Sequence, residues 1–280
     1  MTAAETEFVI EAGRTGRNYW RDLFRYRELF YFLAWRDVLV RYKQTVIGIL
    51  WAVLRPVLTT VVFVFAFNKI AKLPSEGVPY PVMVFAAMLP WQLFATSLSE
   101  ASNSLIGNAN LISKIYFPRM IVPSSAVIVA FVDFVISCGL LALFMIFYHV
   151  SPSWQLVTLP LFTALALLTS LGAGLWFSAL NVEYRDFRYV VPFIVQFGLY
   201  ASPVGFSSAI VREKYGETAF MIYSLNPMVG VIDGFRWAVS GGGSFLFVPG
   251  LIASVAITLV LLISGAWYFR KMERTFADVI

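Results

Sequence analysis

The sequence predicts an all-α integral membrane protein with six transmembrane helices, and its composition is the first observation behind this fold class. Of its 280 residues, 59% are hydrophobic and only 13% are Asp, Glu, Lys or Arg. Soluble domains average about 45–50% apolar and about 25% charged residues. The second observation is that the apolar residues are gathered into stretches of transmembrane length, and the third is that the basic residues are distributed unequally between the connections.

Six apolar stretches are predicted to span the membrane. They cover residues 50–70, 82–100, 121–148, 154–180, 189–206 and 247–269. A helix needs about 20 apolar residues to cross ~30 Å of hydrocarbon. We expect helices because the runs lack the alternation that is typical of barrel strands. The fifth stretch is the shortest, and Pro192 and Pro203 predict that it is bent or broken.

The basic residues predict that both chain ends lie in the cytoplasm. Sixteen of the 21 Lys and Arg residues lie before or at the start of the first stretch, in the second and fourth connections, or after the last stretch. Because cytoplasmic loops are enriched in Lys and Arg, this bias sets the orientation. The net charge of +5 is therefore attributed to topology and to attraction by membrane lipids, and no nucleic-acid partner is expected.

Residues 1–27 are predicted to form a cytoplasmic tail, and residues 28–280 a single transmembrane domain that begins with an amphipathic segment, 29–49. On a helical wheel its apolar face consists of Tyr31, Trp35, Val38, Tyr42, Val46 and Ile49, and its polar face of Arg36, Asp37, Arg41, Lys43 and Gln44. This pattern predicts a helix in the cytoplasmic membrane interface. The helix is either a lipid anchor alone or also a docking surface for a cytoplasmic partner.

Three other segments are too short to span but carry recognisable patterns. Residues 104–116 have apolar side chains at helical spacing, which favours a short cytoplasmic helix. Residues 181–189 are dense in charged and aromatic side chains, and form either a solvated connector or a second docking element. Residues 207–246 contain two apolar pieces separated by Asn226-Pro227, which predict a helical hairpin that re-enters the outer leaflet, or a surface loop.

The sequence offers little catalytic chemistry. It has no G-x-x-x-x-G-K-[ST] phosphate loop, so a nucleotide site of that kind is not expected in this chain. Its single Cys138 and single His149 exclude an intrachain disulfide and a site built on two histidines. Asp133 is the only acid deep within a predicted span, where it would either line a pathway or bond to a neighbouring helix. We therefore predict a non-catalytic protein that binds no cofactor or metal itself.

Several short motifs occur in an order and spacing that resemble one family. They are the run from Arg36 through Arg41-Tyr42 and Gly48 to Pro56, then Pro90-Trp91, Tyr184-Arg185-Asp186, Ser202-Pro203 and Asn226-Pro227-Met228. Together they resemble the membrane subunits of ABC exporters of polysaccharides, a group that includes the O-antigen, capsule and teichoic acid export permeases. The resemblance covers residues 28 to about 275.

The resemblance implies a homodimer with a central channel in the cytoplasmic (inner) membrane. Two copies of a cytoplasmic ABC ATPase would bind below it and would hold ATP and Mg. The residues expected to dock the ATPase are Arg36, Arg41, Tyr42, Asn108, Lys114, Tyr184, Arg185, Asp186 and Arg188. The expected outer gate contains Pro203, Asn226 and Pro227. The aromatic residues expected to line the channel are Trp51, Phe63, Phe67, Phe193, Phe197 and Tyr200.

The function that follows is ATP-driven export of a lipid-linked polysaccharide, of O-antigen type, from the cytoplasmic to the outer side of the membrane. Two alternatives remain open on the sequence alone. One is an ABC exporter permease for drugs or small lipids. The other is a stand-alone membrane enzyme or an ion-coupled carrier, in which Asp133 would be essential.

Overall fold

The computed structural model describes residues 19–43, 48–75 and 77–276, and within these ranges the chain is helical with no β-strand. The helices are α1 (Tyr19–Arg25), α2 (Arg27–Lys43), α3 (Gly48–Phe63), α4 (Tyr80–Gly107), α5 (Ala109–Lys114), α6 (Ile121–Phe147), α7 (Leu159–Glu183), α8 (Phe187–Ala201), α9 (Ala209–Tyr223), α10 (Pro227–Val239) and α11 (Val248–Met272). A π-helical segment, Val64–Ile70, continues α3, and a 3₁₀ segment, Trp154–Thr158, precedes α7. The predicted all-α fold class is confirmed for this part of the chain.

Among the described residues, five helical segments are long and apolar enough to cross a membrane. They are Val53–Ile70, Tyr80–Gly107, Ile121–Phe147, Trp154–Glu183 and Val248–Met272. They correspond to the first four predicted spans and the sixth. The main difference in length is in α4, which continues to Gly107 instead of ending at residue 100. The predicted short helix at 104–116 is correspondingly reduced to the six residues of α5.

The fifth predicted span, 189–206, is shorter in the structure. α8 has 15 residues, which rise ~22 Å at 1.5 Å per residue, less than the ~30 Å of the hydrocarbon core. The chain leaves the helix after Ala201 and continues through residues 202–208, which are almost entirely buried. We call this segment the 202–208 loop.

α4 is the central helix of the bundle. In its apolar stretch 83% of the residues are buried inside the protein, against 17% of the residues in the apolar stretch of the first span. It packs mainly against α6 and α7. α4 and α7 approach each other closely because the residues of α7 that face α4 are small. A Cβ atom added at Gly174 would lie 2.7 Å from the Cβ of Ala101, as is typical of small-residue packing between membrane helices.

Contacts distinguish the two ends of the bundle. At what we call the basic end (residues 105–120, 183–188 and 270–276), the Arg119 backbone N–H donates to Glu273 Oε1 at 2.7 Å. Burial raises the pKa of this carboxyl above its usual value, although the Arg119 N–H partly opposes the shift. At the hairpin end (residues 148–158, 202–226 and 240–247), the Arg212 guanidinium lies 5.7 Å from the centre of the Phe247 ring.

The segment predicted to form a hairpin, 207–246, contains the two helices α9 and α10. α10 is buried over most of its length and packs against α4, α7 and α11. α9 is more exposed and is bent at Gly216, whose φ of 82° favours glycine. The segment 207–246 therefore contains one buried helix and one more exposed helix.

The start of the chain differs in part from a simple tail. Residues 1–18 lie outside the described ranges, but residues 19–25 of the predicted 1–27 tail form α1. The Tyr19 side chain is buried at the basic end, where the Arg270 guanidinium lies 4.7 Å from its ring centre. This contact is a cation–π arrangement, and it joins α1 to the end of α11.

Candidate functional site

The predicted interface helix is α2, but its polar residues do not all face away from the protein. On the exposed side, Tyr31 and Trp35 are stacked with ring centres 6.4 Å apart, which agrees with the predicted apolar face. Arg36, by contrast, points inward, and its Nη2 donates to Asn108 Oδ1 at 2.8 Å. The polar face predicted to contain Arg36 therefore makes contact with another part of the bundle at this position. Gln44 and Val46 lie outside the described residues, as does the side chain of Ile49.

A second polar contact joins the end of α2 to the bundle. Arg41 Nη2 lies 3.0 Å from Asp133 Oδ2 of α6, and its Nη1 lies 3.3 Å from Glu100 Oε1 of α4. The Tyr42 hydroxyl donates to Asp133 Oδ1. Burial and the hydrogen bond to this carboxylate raise the pKa of Tyr42 above its usual value, so the hydroxyl stays a donor. We call these four residues, Arg41, Tyr42, Glu100 and Asp133, the α2 anchor.

Other predicted docking residues are exposed at the basic end. Lys114 ends α5, and Tyr184, Arg185 and Asp186 form the turn between α7 and α8. Arg188 is exposed in the first turn of α8. The structure thus separates the predicted docking set into an inward group on α2 and α4 and an exposed group on the two short connections.

The predicted channel aromatics cluster on α8 and the end of the first span. Phe193, Phe197 and Tyr200 are 58%, 58% and 62% exposed, and their spacing puts them on one face of α8. The Phe63 ring stacks on Tyr200 with 6.2 Å between ring centres, and Phe67 is 5.3 Å from Phe63. Phe63 itself is buried. The Trp51 side chain lies outside the described part of the structure.

At the hairpin end, a buried arginine holds the 202–208 loop. Arg236 of α10 donates from Nη2 to the Val204 carbonyl and from Nη1 to the Phe206 carbonyl, both at 2.8 Å. Its Nε lies 3.4 Å from the Met83 carbonyl of α4. Non-helical backbone at membrane depth needs such partners, because lipid offers none. Arg236 therefore supplies the donors that allow the chain to leave α8 inside the protein.

The remaining loop contacts are also polar. The Tyr80 hydroxyl donates to the Gly205 carbonyl, and Ser208 Oγ donates to Asp233 Oδ2 at 2.6 Å. At Gly205 a Cβ atom would lie 2.6–2.7 Å from the Phe67 and Phe63 rings. Only glycine leaves room for this close approach of the loop to the aromatic cluster.

The three predicted gate residues lie together around this loop. Asn226 caps α10, since its Oδ1 accepts from the Met228 N–H at 3.0 Å, while its Nδ2 donates to Ser202 Oγ at 2.9 Å. Pro227 occupies the first turn of α10, where its missing N–H costs nothing. Pro203 is buried in the loop. Asn226 thus joins the start of α10 to the end of α8.

Asp233, Arg236 and Tyr80 were not predicted as site residues from the sequence. Arg236 counted in the sequence analysis only as a basic residue of the outer connection. The available signal was a pair of opposite charges, three residues apart, inside the apolar piece 228–239. Charged residues in an apolar helix are rare and are generally paired or bonded to backbone carbonyls.

The fold and these contacts define a multi-pass helical membrane protein with exposed charged connections at one end and the buried helix α10 near the other. A family model, ABC-2 type transporter, matches residues 28–240. Because this match covers well over half of the chain, the protein belongs to the ABC-2 type transporter family.

Curated relatives align with nearly the whole chain. The chain is 27% identical over 261 residues to the O-antigen export system permease protein RfbA of Myxococcus xanthus, covering 93% of this chain and 98% of that protein. It is 28% identical over 252 residues to a protein of the same name from Klebsiella pneumoniae, covering 88% and 92% of the two chains.

Proposed function

We propose that this chain is the membrane subunit of an ABC exporter that moves a lipid-linked polysaccharide of O-antigen type across the cytoplasmic membrane. The observation that carries the proposal is the alignment with O-antigen export permeases over 93% of this chain and 98% of the relative. The lack of a phosphate-loop motif in the sequence agrees with ATP hydrolysis in a separate subunit.

The topology proposed is six crossings with both termini in the cytoplasm. α8 is too short to cross alone, but the buried 202–208 loop extends it towards the hairpin end. Arg236 supports this reading because it supplies hydrogen-bond donors to irregular backbone. On this topology the basic end is cytoplasmic, and α9 and α10 form the re-entrant hairpin on the outer side.

The proposed assembly is a homodimer with two ATPase subunits. A second copy would cover the exposed apolar surface of α8, α3 and the π-helical segment that continues α3, which includes Leu58, Val61, Phe65, Phe193 and Phe197. A surface of this kind either faces lipid or pairs with protein. Aromatic rings that remain open to a channel between the two copies would stack on sugar rings.

The direct test is to delete the gene and follow the glycan. Loss of the protein should leave the lipid-linked polysaccharide on the cytoplasmic side, and the tagged chain should copurify with an ABC ATPase. A deletion strain with normal surface glycan, or a tagged chain that brings down no ATPase, would overturn the proposal.

The exposed turn between α7 and α8 should be needed for ATPase docking. We expect the double substitution Arg185→Glu, Asp186→Lys to lower the amount of copurified ATPase by about tenfold, because misplaced interfacial charges cost several kcal/mol. Quantitative copurification measures this loss. Lys214→Glu, an equally exposed charge reversal in α9, is the matched control. Equal ATPase recovery from both variants would contradict the assignment.

The exposed aromatic face of α8 should contribute to transport rather than to folding. We expect Phe197→Ala to lower export about threefold or more, since an aromatic contact contributes about 0.5–1.5 kcal/mol. Surface glycan per folded permease is the measurement. Phe147→Ala on α6, where the ring is 75% exposed, is the control. A similar, small effect of both substitutions would count against a channel role for α8.

A further inference from the structure

The α2 anchor lies between two functional parts of the molecule. On one side is the basic end, which carries the proposed ATPase contacts. On the other is α3, the start of the first span, which follows α2 after residues 44–47. α2 packs mainly against α6, and the anchor residues Arg41 and Tyr42 lie in its last turn. Any displacement of α2 relative to the bundle therefore acts directly on the three contacts of the α2 anchor.

The anchor joins three helices through one arginine. The Arg41 guanidinium reaches Asp133 of α6 at 3.0 Å and Glu100 of α4 at 3.3 Å. Its planar fork has donors for two carboxylates at once, which a lysine ammonium matches less well. The Tyr42 hydroxyl adds a second contact to Asp133 from the neighbouring position on α2.

The anchor residues differ in their access to solvent. The Asp133 side chain is 18% exposed and that of Arg41 is 32% exposed, while Glu100 is 49% exposed. Removing Arg41 would leave a largely buried carboxylate without its cation, which is costly in a membrane protein. The Asp133 contact is therefore the stronger part of the anchor, and Glu100 is its more solvated part.

α2 is also held to the bundle by a second set of contacts, which can be compared with the α2 anchor. Five residues before Arg41, Arg36 donates to Asn108 at the end of α4. Leu33 is also buried in the apolar cluster at the basic end. These contacts hold the first part of α2 in place without the anchor. Loss of the anchor should consequently free the last turn of α2, and not the whole helix.

From this geometry we propose that Arg41 and Asp133 are positioning residues for transport, which transmit the movement of α2 at the ATPase interface to the membrane helices. The inference rests on the proposed function. ATP-driven displacement of α2 is passed to α6 and α4 through the anchor. Without it, the ATPase still binds and hydrolyses ATP, but fewer glycans cross for each ATP consumed.

The test is export per ATP hydrolysed by the complete permease–ATPase complex in proteoliposomes. We expect Asp133→Asn to keep ATPase association but to lower this ratio at least about tenfold, and Arg41→Gln to lower the ratio by a similar factor. A tenfold change corresponds to about 1.4 kcal/mol of coupling. Arg41→Lys should retain part of the ratio, because it keeps the charge. The double variant Arg41→Asp, Asp133→Arg exchanges the two charges. It should recover part of the export per ATP that Arg41→Asp alone or Asp133→Arg alone loses.

A matched control removes an ion pair elsewhere. Glu217→Gln breaks the exposed pair with Arg212 in α9, and its ratio should equal that of the wild type. Wild-type ratios in Asp133→Asn and Arg41→Gln would overturn the inference while leaving the proposed function intact. So would a parallel loss of folded protein, ATPase binding and export without recovery in the exchange variant, because that pattern indicates a purely structural role. Absence of ATP-driven export by the wild-type complex would overturn the proposed function, and this inference with it.

Discussion

Replacing Arg236 by alanine should abolish the accumulation of folded protein. The substitution removes the donors to the Val204 and Phe206 carbonyls and the contact with the Met83 carbonyl. A buried polar group left without its partner costs about 1–3 kcal/mol. Three such groups together approach the whole stability of a typical protein, about 5–15 kcal/mol. We therefore expect the 202–208 loop to lose its fixed conformation and α10 to lose its packing against α4, α7 and α11.

The measurement is the yield of monodisperse protein in detergent and its thermal unfolding temperature. Arg236→Lys should be intermediate, because an ammonium keeps the charge but cannot bond the same three carbonyls with the geometry of a guanidinium. Arg212→Ala in the exposed α9 removes the same side chain from a solvent-accessible site and should be tolerated. Arg236→Ala protein as stable as Arg212→Ala protein would show that the loop does not depend on this arginine.

Arg236 also illustrates what the sequence could not reveal. Three of its acceptors are backbone carbonyls, which every residue possesses, so the sequence does not mark which part of the chain these bonds reach. From the sequence it was only one of five basic residues placed outside the cytoplasm. Asn226-Pro227 was more informative, because the cap and the proline are local signals for a helix start, and α10 does begin at Pro227.

The spans were predictable because length and hydrophobicity suffice to identify a helix in lipid. The boundaries of α6 and α11 follow the predicted 121–148 and 247–269 within a few residues. α8 deviates because its end is set by tertiary contacts of the 202–208 loop. The sequence carried a local warning in Pro203, but the position of the helix end depends on Tyr80 and Arg236, which lie far away in the chain.

The orientation of α2 was only half predictable. Its exposed Tyr31 and Trp35 follow the apolar stripe of the wheel. Arg41 was assigned to the opposite, polar face, yet it points to Asp133, 92 positions later in the sequence. A wheel describes one helix in a uniform environment and contains no information on a charge supplied by another helix. Asp133 stood out in the sequence as an acid within a predicted span, but its partner Arg41 could be found only in three dimensions.

Substituting Gly172 or Gly265 with alanine should separate α7 from α11 and strongly destabilise the bundle. A Cβ atom at Gly172 would lie 2.7 Å from the Leu262 nitrogen and 2.9 Å from its Cα atom. At Gly265 it would collide with the Gly172 carbonyl oxygen. The obstacle is backbone in both cases, so no side-chain rotation relieves the overlap. Overpacking costs about 1–3 kcal/mol when neighbours can adjust, and we expect the upper end or more here.

The seam between these helices also contains a hydrogen bond that their separation would break. Thr169 and Thr258 hydroxyl oxygens lie 2.7 Å apart, and both side chains are buried. α11 ends next to Glu273, which accepts from Arg119 at the basic end. A shift of α11 would therefore reach the connection between α5 and α6 and reduce ATPase docking as well as stability.

Gly139→Ala in α6 is the matched control, because a Cβ atom there meets nothing within 4 Å. Alanine should be neutral or slightly stabilising at that position, since it favours helix over glycine by up to about 1 kcal/mol. Thermal unfolding in detergent, with copurified ATPase as a second readout, compares the three variants. Equal unfolding temperatures for Gly172→Ala, Gly265→Ala and Gly139→Ala would mean that α7 and α11 do not need their close backbone approach. A lower unfolding temperature for Gly172→Ala and Gly265→Ala, but not for Gly139→Ala, would assign the destabilisation to the contact between α7 and α11. It would not then be the general cost of changing a glycine in a membrane helix.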